Sequence, residues 1–199
     1  MNRGGSPVGL ILAGGPGTRI GGAKANVALH GKPLVQYPLR ALRAVVGDVA
    51  IITKPQMVLP RLEGTMVWVE PEEPVHPMLG LSEALALAGG RPVLVCPVDM
   101  PFISAQLLAA LAGADSGGRP AVIASSRGRA QPLVGRYLPA AAPLLARAAH
   151  GTVPLDDVLD MLEPKLLEVE DEVELFDVNT PDDLLLAAGM LDQRRSVRA

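Results

Sequence analysis

Short, largely apolar runs separated by segments of helix length constrain this chain more than any other feature. Val8 to Ala13, Val49 to Thr53, Met66 to Val69 and Pro92 to Cys96 (PVLVC) have strand length and lack a polar alternation. Val8 to Ala13 and Pro92 to Cys96, apolar on both faces, are the kind of strand expected inside a parallel sheet with helices covering each side. Pro33 to Val46 reads as a helix whose first part Pro38 limits or kinks, and Leu79 to Ala88 reads as another. Ser104 is a good N-cap for a helix to about Ala112. Strands are expected at Ala121 to Ala124 and Leu133 to Tyr137, helices near Ala140 to Ala149 and Val153 to Leu162, and a late strand at Leu166 to Val169. Thr180 and Pro181 have the residue types of an N-cap and first position for a last helix to Met190. The alternation predicts an α/β fold with a mostly parallel sheet and crossover helices. Ligands of such sheets sit beyond the carboxyl ends of the strands. The 199 residues are read as one domain, residues 1–199, with a core over 6–190 and a frayed tail over 191–199.

Composition removes several classes of function. The formal net charge is −3 and aromatics make up 3% of the chain, so neither the basic excess of a nucleic-acid binder nor its stacking platform is present. One cysteine, Cys96, permits no internal disulfide and no thiolate zinc site, and fits a reducing cytoplasm. Near the amino terminus the apolar stretch Val8 to Ala13 is too short for a signal-peptide core or a membrane span. A cytoplasmic protein with no nucleic-acid or membrane partner is expected.

The first strand runs into "LAGGPGTRIGGAK", a loop with five glycines followed by Lys24. Glycines let backbone N–H groups turn toward an anion, and Arg19 and Lys24 add positive charge at the same sheet edge. Two familiar loops fail on particular residues. The P-loop needs Gly-Lys-Ser/Thr, but Ala23 precedes Lys24 and Ala25 stands where the hydroxyl belongs. The dinucleotide fingerprint places a third glycine where Ile20 stands, and the second strand ends in Thr53-Lys54 without a carboxylate for a ribose.

A third pattern fits. Leu12, Ala13, Gly14, Gly15, Arg19, Gly21 or Gly22, and Lys24 resemble the L-A-G-G-x-x-x-R-M-G-x-x-K signature of the nucleotidyltransferases related to molybdenum cofactor guanylyltransferases. Ala23 replaces the acidic residue that often precedes the lysine. The resemblance implies a Rossmann-like three-layer α/β/α sandwich of the nucleotide-diphospho-sugar transferase type, mostly parallel with a short antiparallel insertion. It also implies that Leu12, Ala13, Gly14, Gly15 and Gly17 wrap a triphosphate, with Arg19 and Lys24 neutralising it.

Two further blocks stand in family order. "VLVCPVDMPFI" carries Asp99 to the ligand edge and resembles the C-x-x-D-M-P form. Magnesium takes one or two carboxylates plus substrate phosphates, so Asp99 is a candidate ligand; the alternative is a carboxylate capping the turn before Pro101. Cys96 reads as a small core residue. "LFDVNTPDDLLLA" resembles N-V-N-T-P-E-D-L, whose asparagines contact the metal or the second substrate; this implies one of those roles for Asn179, while a carboxylate at Asp177 either joins Asp99 on the metal or repels an anionic substrate. Asp177 replaces the family's first asparagine, and Asp182 and Asp183 read as carboxylates facing a helix dipole.

Weaker likenesses extend the site. "HPMLGLSEAL" resembles G-P-L-x-G-x-x-x-A-L, which implies that Gly80 lets a base approach and sets His76 at or near a family glycine. Glu70 aligns with an acidic residue that accepts hydrogen bonds from guanine N1–H and N2–H₂. Lys54 either touches the same pocket or is a solvated surface lysine, the surface being preferred. "GRAQPLVGRY" resembles a segment before a strand, which implies acceptor binding by Gln131 and Arg136, and structural roles fit them equally. The run Glu168 to Glu174 reads as a solvated edge.

The family likeness implies magnesium-dependent transfer of GMP from GTP to the terminal phosphate of molybdopterin or its molybdenum-loaded form. Cytidylyl transfer to the same cofactor, nucleotidyl transfer to a sugar or isoprenoid phosphate, and a nucleotide-binding regulator remain alternatives. The implied partners are GTP, molybdopterin or the molybdenum cofactor, and transient contacts with proteins that donate the cofactor or receive it.

Overall fold

The computed structural model describes residues 5–15, 20, 23–151 and 153–196. Strand β1 (Val8–Leu12) is followed by a small hairpin, β2 (Ala28–Leu29) with β3 (Lys32–Pro33), and by helix α1 (Gln36–Arg43). Strands β4 (Val49–Thr53) and β5 (Met66–Val69) lead to α2 (Pro77–Leu87), β6 (Val93–Pro97) and α3 (Ala105–Gly113). The chain continues through β7 (Ala121–Ser126), β8 (Arg129–Tyr137), α4 (Ala142–His150), α5 (Leu155–Leu162), β9 (Lys165–Glu168) and α6 (Pro181–Ser196).

Seven strands form one sheet in the order β5-β4-β1-β6-β8-β7-β9. β1 pairs in parallel with both β4 and β6, so Leu10 lies beside Ala50 on one edge and Val95 on the other. β8 alone runs against its neighbours, between β6 and β7. This is the antiparallel insertion of an otherwise parallel sheet. One face packs Ile11, Leu94 and Val122 under Leu42 and Leu108 of α1 and α3. The other packs Leu10, Ile52, Val95 and Tyr137 under Leu79 of α2 and Leu145 of α4. Because the chain winds from β1 to β4 and β5 and then crosses back to β6, the crevice beyond β1 and β6 is the topological switch point.

The helices follow their sequence patterns. In α1, Leu39 and Leu42 face the sheet while Gln36, Arg40 and Arg43 face out. Pro38 sits in its first turn, where a missing N–H costs nothing. The helix starts later than its apolar pattern because Lys32 and Pro33 pair with β2, and it ends at Arg43 in a turn in which the Val45 and Val46 N–H groups both donate to the Leu42 carbonyl. α2 is apolar on nearly all sides, as a helix wedged between a sheet and α4 must be. Ser104 caps α3, its hydroxyl oxygen accepting from the Leu107 N–H at 3.0 Å.

Two expectations change. α6 continues to Ser196 rather than fraying after Met190. Arg194 holds it, paired with Asp171 at 2.7 Å and stacked 5.2 Å from the centre of the Phe102 ring; residues 197–199 lie outside the described residues. The expected solvated edge, exposed at Glu168, Glu170, Asp171 and Glu172, is also a clamp. Glu168 accepts from the Ser125 hydroxyl at 2.5 Å and the Arg127 N–H at 2.6 Å, and Glu174 accepts from the Ser104 N–H at 3.1 Å.

Arg136 is a third correction. Its position in β8 faces Leu94, at the end of β6 remote from Asp99. The guanidinium is buried, 7% exposed, and donates to the carbonyls of Ala112 and Ala114 at the carboxyl end of α3. It closes a helix end and does not meet an acceptor. Arg136→Met should therefore lower stability by about 2 kcal/mol, seen as a Tm lower by roughly 4–8 °C in a thermal melt, while the affinity for every ligand stays unchanged.

Candidate active site

β1 delivers the glycine loop to the switch point through bonds from both neighbours. The Ala13 N–H donates to the Ile52 carbonyl at 2.9 Å, and the Val98 N–H donates to the Leu12 carbonyl at 3.1 Å. Ala13 is therefore committed to the sheet, and its N–H does not serve a phosphate cradle. The N–H groups of Gly14 and Gly15 make no hydrogen bond among the described residues. Around Gly15 a Cβ would meet nothing within 4 Å. Gly17 and Arg19, expected in the cradle, lie outside the described residues.

Three segments far apart in sequence meet at one ammonium group. Lys24 opens a short 3-10 turn, Lys24–Asn26, and its Nζ donates to Asp99 Oδ2 at 2.6 Å. The same Nζ donates to Asn179 Oδ1, and the Asn179 amide nitrogen donates to Asp177 Oδ2. Asp99 follows the buried strand β6, and its carbonyl accepts from the Val178 N–H at 2.9 Å, which ties the carboxyl-terminal segment to the sheet edge. Asp183 then fixes Asn179: its Oδ2 accepts from the N–H groups of Asn179 and Thr180 at 3.0 and 2.8 Å. The Thr180 hydroxyl oxygen accepts from the Asp183 N–H at 3.2 Å, completing a reciprocal cap of α6.

Beside this cluster is a cavity of about 220 Å³. Leu12, Ile52 and Leu133 supply apolar wall, and two ion pairs line it, Lys24 with Asp99 and Lys54 with Glu70. A mostly apolar cavity with a few converging polar groups suits a flat heterocycle attached to a charged tail.

Lys54 is not the solvated surface lysine preferred from sequence. It is 8% exposed, its Nζ lies 3.4 Å from Glu70 Oε1, and it donates to the Pro71 carbonyl. Parallel pairing of Thr53 with Val69 sets Lys54 and Glu70 side by side at the ends of β4 and β5, and the Glu70 N–H donates to the Thr53 carbonyl at 3.0 Å. That strand pairing was the signal, invisible while the strands were read singly. Glu70 is 6% exposed; burial raises its pKa above the usual carboxylate value, Lys54 opposes the rise and Glu83 adds to it.

Two glycines make room for this carboxylate. A Cβ on Gly14 would lie 2.1 Å from Glu70 Oε1, and one on Gly80 2.6 Å from Glu70 Oε2. Gly80 is thus required by Glu70 as well as lining the cavity. His76 caps α2, its Nδ1 accepting from the Met78 N–H at 3.2 Å, and also lines the cavity. Its capping role was not read from the sequence, although its place just before Pro77 carries the signal of a helix start. Gln131 lies on β8 beyond the stretch paired with β6, near the ligand edge but outside the cavity wall. Cys96 is wholly buried, and burial, then Asp99, push its thiol pKa up, so it is a core residue and no nucleophile.

Residues 9–165 match the family described as the MobA-like NTP transferase domain. The molybdenum cofactor guanylyltransferase of Cereibacter sphaeroides is 32% identical over 189 residues, 92% of this chain and 96% of that protein. That of Rhizobium johnstonii is 31% identical over 208 residues, 94% of each chain. The molybdopterin-guanine dinucleotide biosynthesis protein A of Archaeoglobus fulgidus superposes with a TM-score of 0.74 at 22% identity, covering 94% of this chain and 99% of its own. The 2-C-methyl-D-erythritol 4-phosphate cytidylyltransferase of Thermus thermophilus does so with a TM-score of 0.66 at 22% identity, covering 92% and 98%. The two structural likenesses establish the shared fold. Most of the chain lies within the family match, and the guanylyltransferase relatives align over nearly all of it, so the chain belongs to the MobA-like NTP transferase family and is a nucleotidyltransferase.

Proposed function

We propose that this protein transfers GMP from GTP to the terminal phosphate of molybdopterin or its molybdenum-loaded form. The observation that carries the reading is the meeting of Lys24, Asp99 and Asn179 at the switch point. The guanylyltransferase relatives of similar length supply the donor and acceptor. An acceptor phosphate oxygen attacks the α-phosphorus of GTP, the bond from that phosphorus to the bridging oxygen breaks, and pyrophosphate leaves. The protein's contribution is positioning and charge stabilisation.

Gly14 and Gly15, continued by Gly17, would present N–H groups to the triphosphate. Lys24 and Arg19 would neutralise charge on the α-phosphate and the departing pyrophosphate. Asp99, Asn179 and Asp177 would hold magnesium. Their fit is supported by what they already do: Asp99 and Asn179 aim hard oxygens at one cation, the Lys24 ammonium. A magnesium ion held there would neutralise phosphate charge as a Lewis acid. Lys24 would exchange its carboxylate partner for phosphate oxygens when nucleotide enters. Glu70 would accept from guanine N1–H and N2–H₂, with Gly80 allowing the ring to approach, and Gln131 and Asn179 would face the acceptor. The reaction belongs to the cytoplasm, next to proteins that supply the pterin and receive the dinucleotide. We read residues 1–199 as one domain.

Calorimetric titration with GTP, CTP, ATP and UTP in magnesium should show a preference for GTP; a preference for CTP would replace guanylyl with cytidylyl transfer. Asp99→Ala should lower kcat by about 100-fold or more and leave nucleotide affinity in chelator nearly unchanged. Undiminished turnover in that variant would remove Asp99 from the metal.

A further inference from the structure

The Lys54–Glu70 pair stands apart from the Lys24 cluster. Both of its members are more than nine-tenths buried, and both line the cavity. Glu70 has little freedom, since Oε1 lies against Gly14 and Oε2 against Gly80 so closely that neither glycine has room for a side chain. Lys54 is tethered on its other side by the Pro71 carbonyl. A buried carboxyl that loses its cation is driven to protonate, and a protonated carboxyl donates where it previously accepted.

We propose that Lys54 is a positioning residue that holds Glu70 as a two-oxygen hydrogen-bond acceptor at the wall of the cavity, and so sets the selection of a base carrying adjacent N1–H and N2–H₂ donors. The proposal rests on the reading of Glu70 as the group that meets the base. Guanine offers these two donors side by side, hypoxanthine only N1–H, and cytosine a single amino group. An ionised Glu70 rewards the second donor. A protonated Glu70 presents one oxygen and one O–H, and the O–H opposes that donor. The other titratable groups around Glu70 are Glu83 on α2, which adds to the cost of ionising it, and His76, Lys24 and Asp99, which line the same cavity. All of these are retained when Lys54 alone is changed, so a difference between two pH profiles reports Glu70.

The test compares direct binding of GTP and ITP to the full chain across pH, by calorimetry, for the wild-type protein, Lys54→Met, Lys54→Arg and Glu70→Gln. Lys54→Met should weaken GTP binding by about tenfold or more near pH 6 and bring the GTP/ITP affinity ratio toward one. With Lys54 gone the Glu70 pKa rises further, so the acceptor is absent at low pH and returns as pH increases. The variant should therefore recover GTP preference as pH is raised within the range in which both purines keep their N1–H, and its profile should be displaced upward from that of the wild-type protein. Lys54→Arg should keep the preference throughout. A merely structural role for Lys54 produces neither the pH-dependent recovery nor the selective loss of the 2-amino group. If Lys54→Met does not fold, Lys54→Gln removes the charge and keeps a donor, and the same displacement is expected. An unchanged GTP/ITP ratio in Lys54→Met and Lys54→Gln at every pH, with the ratio lost in Glu70→Gln, would overturn the proposal and leave the base reading intact. An unchanged ratio in Glu70→Gln would overturn the base reading and the proposal with it.

Discussion

Strand β1 is enclosed on both edges and both faces, and the rest of the structure is arranged around that enclosure. Its hydrogen-bonding edges are taken by β4 and β6, and its side chains meet helices on either side. Nothing polar can be carried within it, so chemistry begins where it ends. The same bonds that finish β1, from Ala13 to Ile52 and from Val98 to Leu12, aim the glycine loop and Asp99 at one crevice. The reversal of winding at this strand leaves that crevice uncovered by any crossover.

Two ion pairs of different character line the cavity. Lys24 is shared between Asp99 and Asn179, which arrive on separate segments, and each is still partly reachable by solvent. In the proposed reaction this set would exchange partners as phosphate and a cation enter. Lys54 and Glu70 sit at adjacent strand ends with glycines pressed against the carboxylate. A buried pair of this kind adds little net stability, but losing one partner is costly. It is better suited to keeping a charge state than to holding the fold together.

Backbone order was largely legible in the chain. Four apolar runs became β1, β4, β5 and β6, and Ser104 and Thr180 cap the helices they were expected to cap. These features are local: an apolar run and a hydroxyl before a helix carry their meaning within a few residues. The hairpin of Ala28–Leu29 with Lys32–Pro33 was missed because two-residue strands leave no periodic trace. The extension of α6 was missed because its support, Asp171 and Phe102, lies far back in the chain.

Residue types at the site were likewise set by sequence: a glycine loop before Lys24, Asp99 after an apolar strand and Asn179 before a helix cap. The fold decided which of these meet and which candidates do not belong. It brought Lys24 to Asp99 and Asn179 across 75 and 155 positions. Arg136 was turned toward the carboxyl end of α3, and Lys54 was drawn out of solvent. A side chain's environment is decided by the strands and helices packed beside it. Strand order, sheet face and burial are properties of the whole chain, and single positions do not carry them.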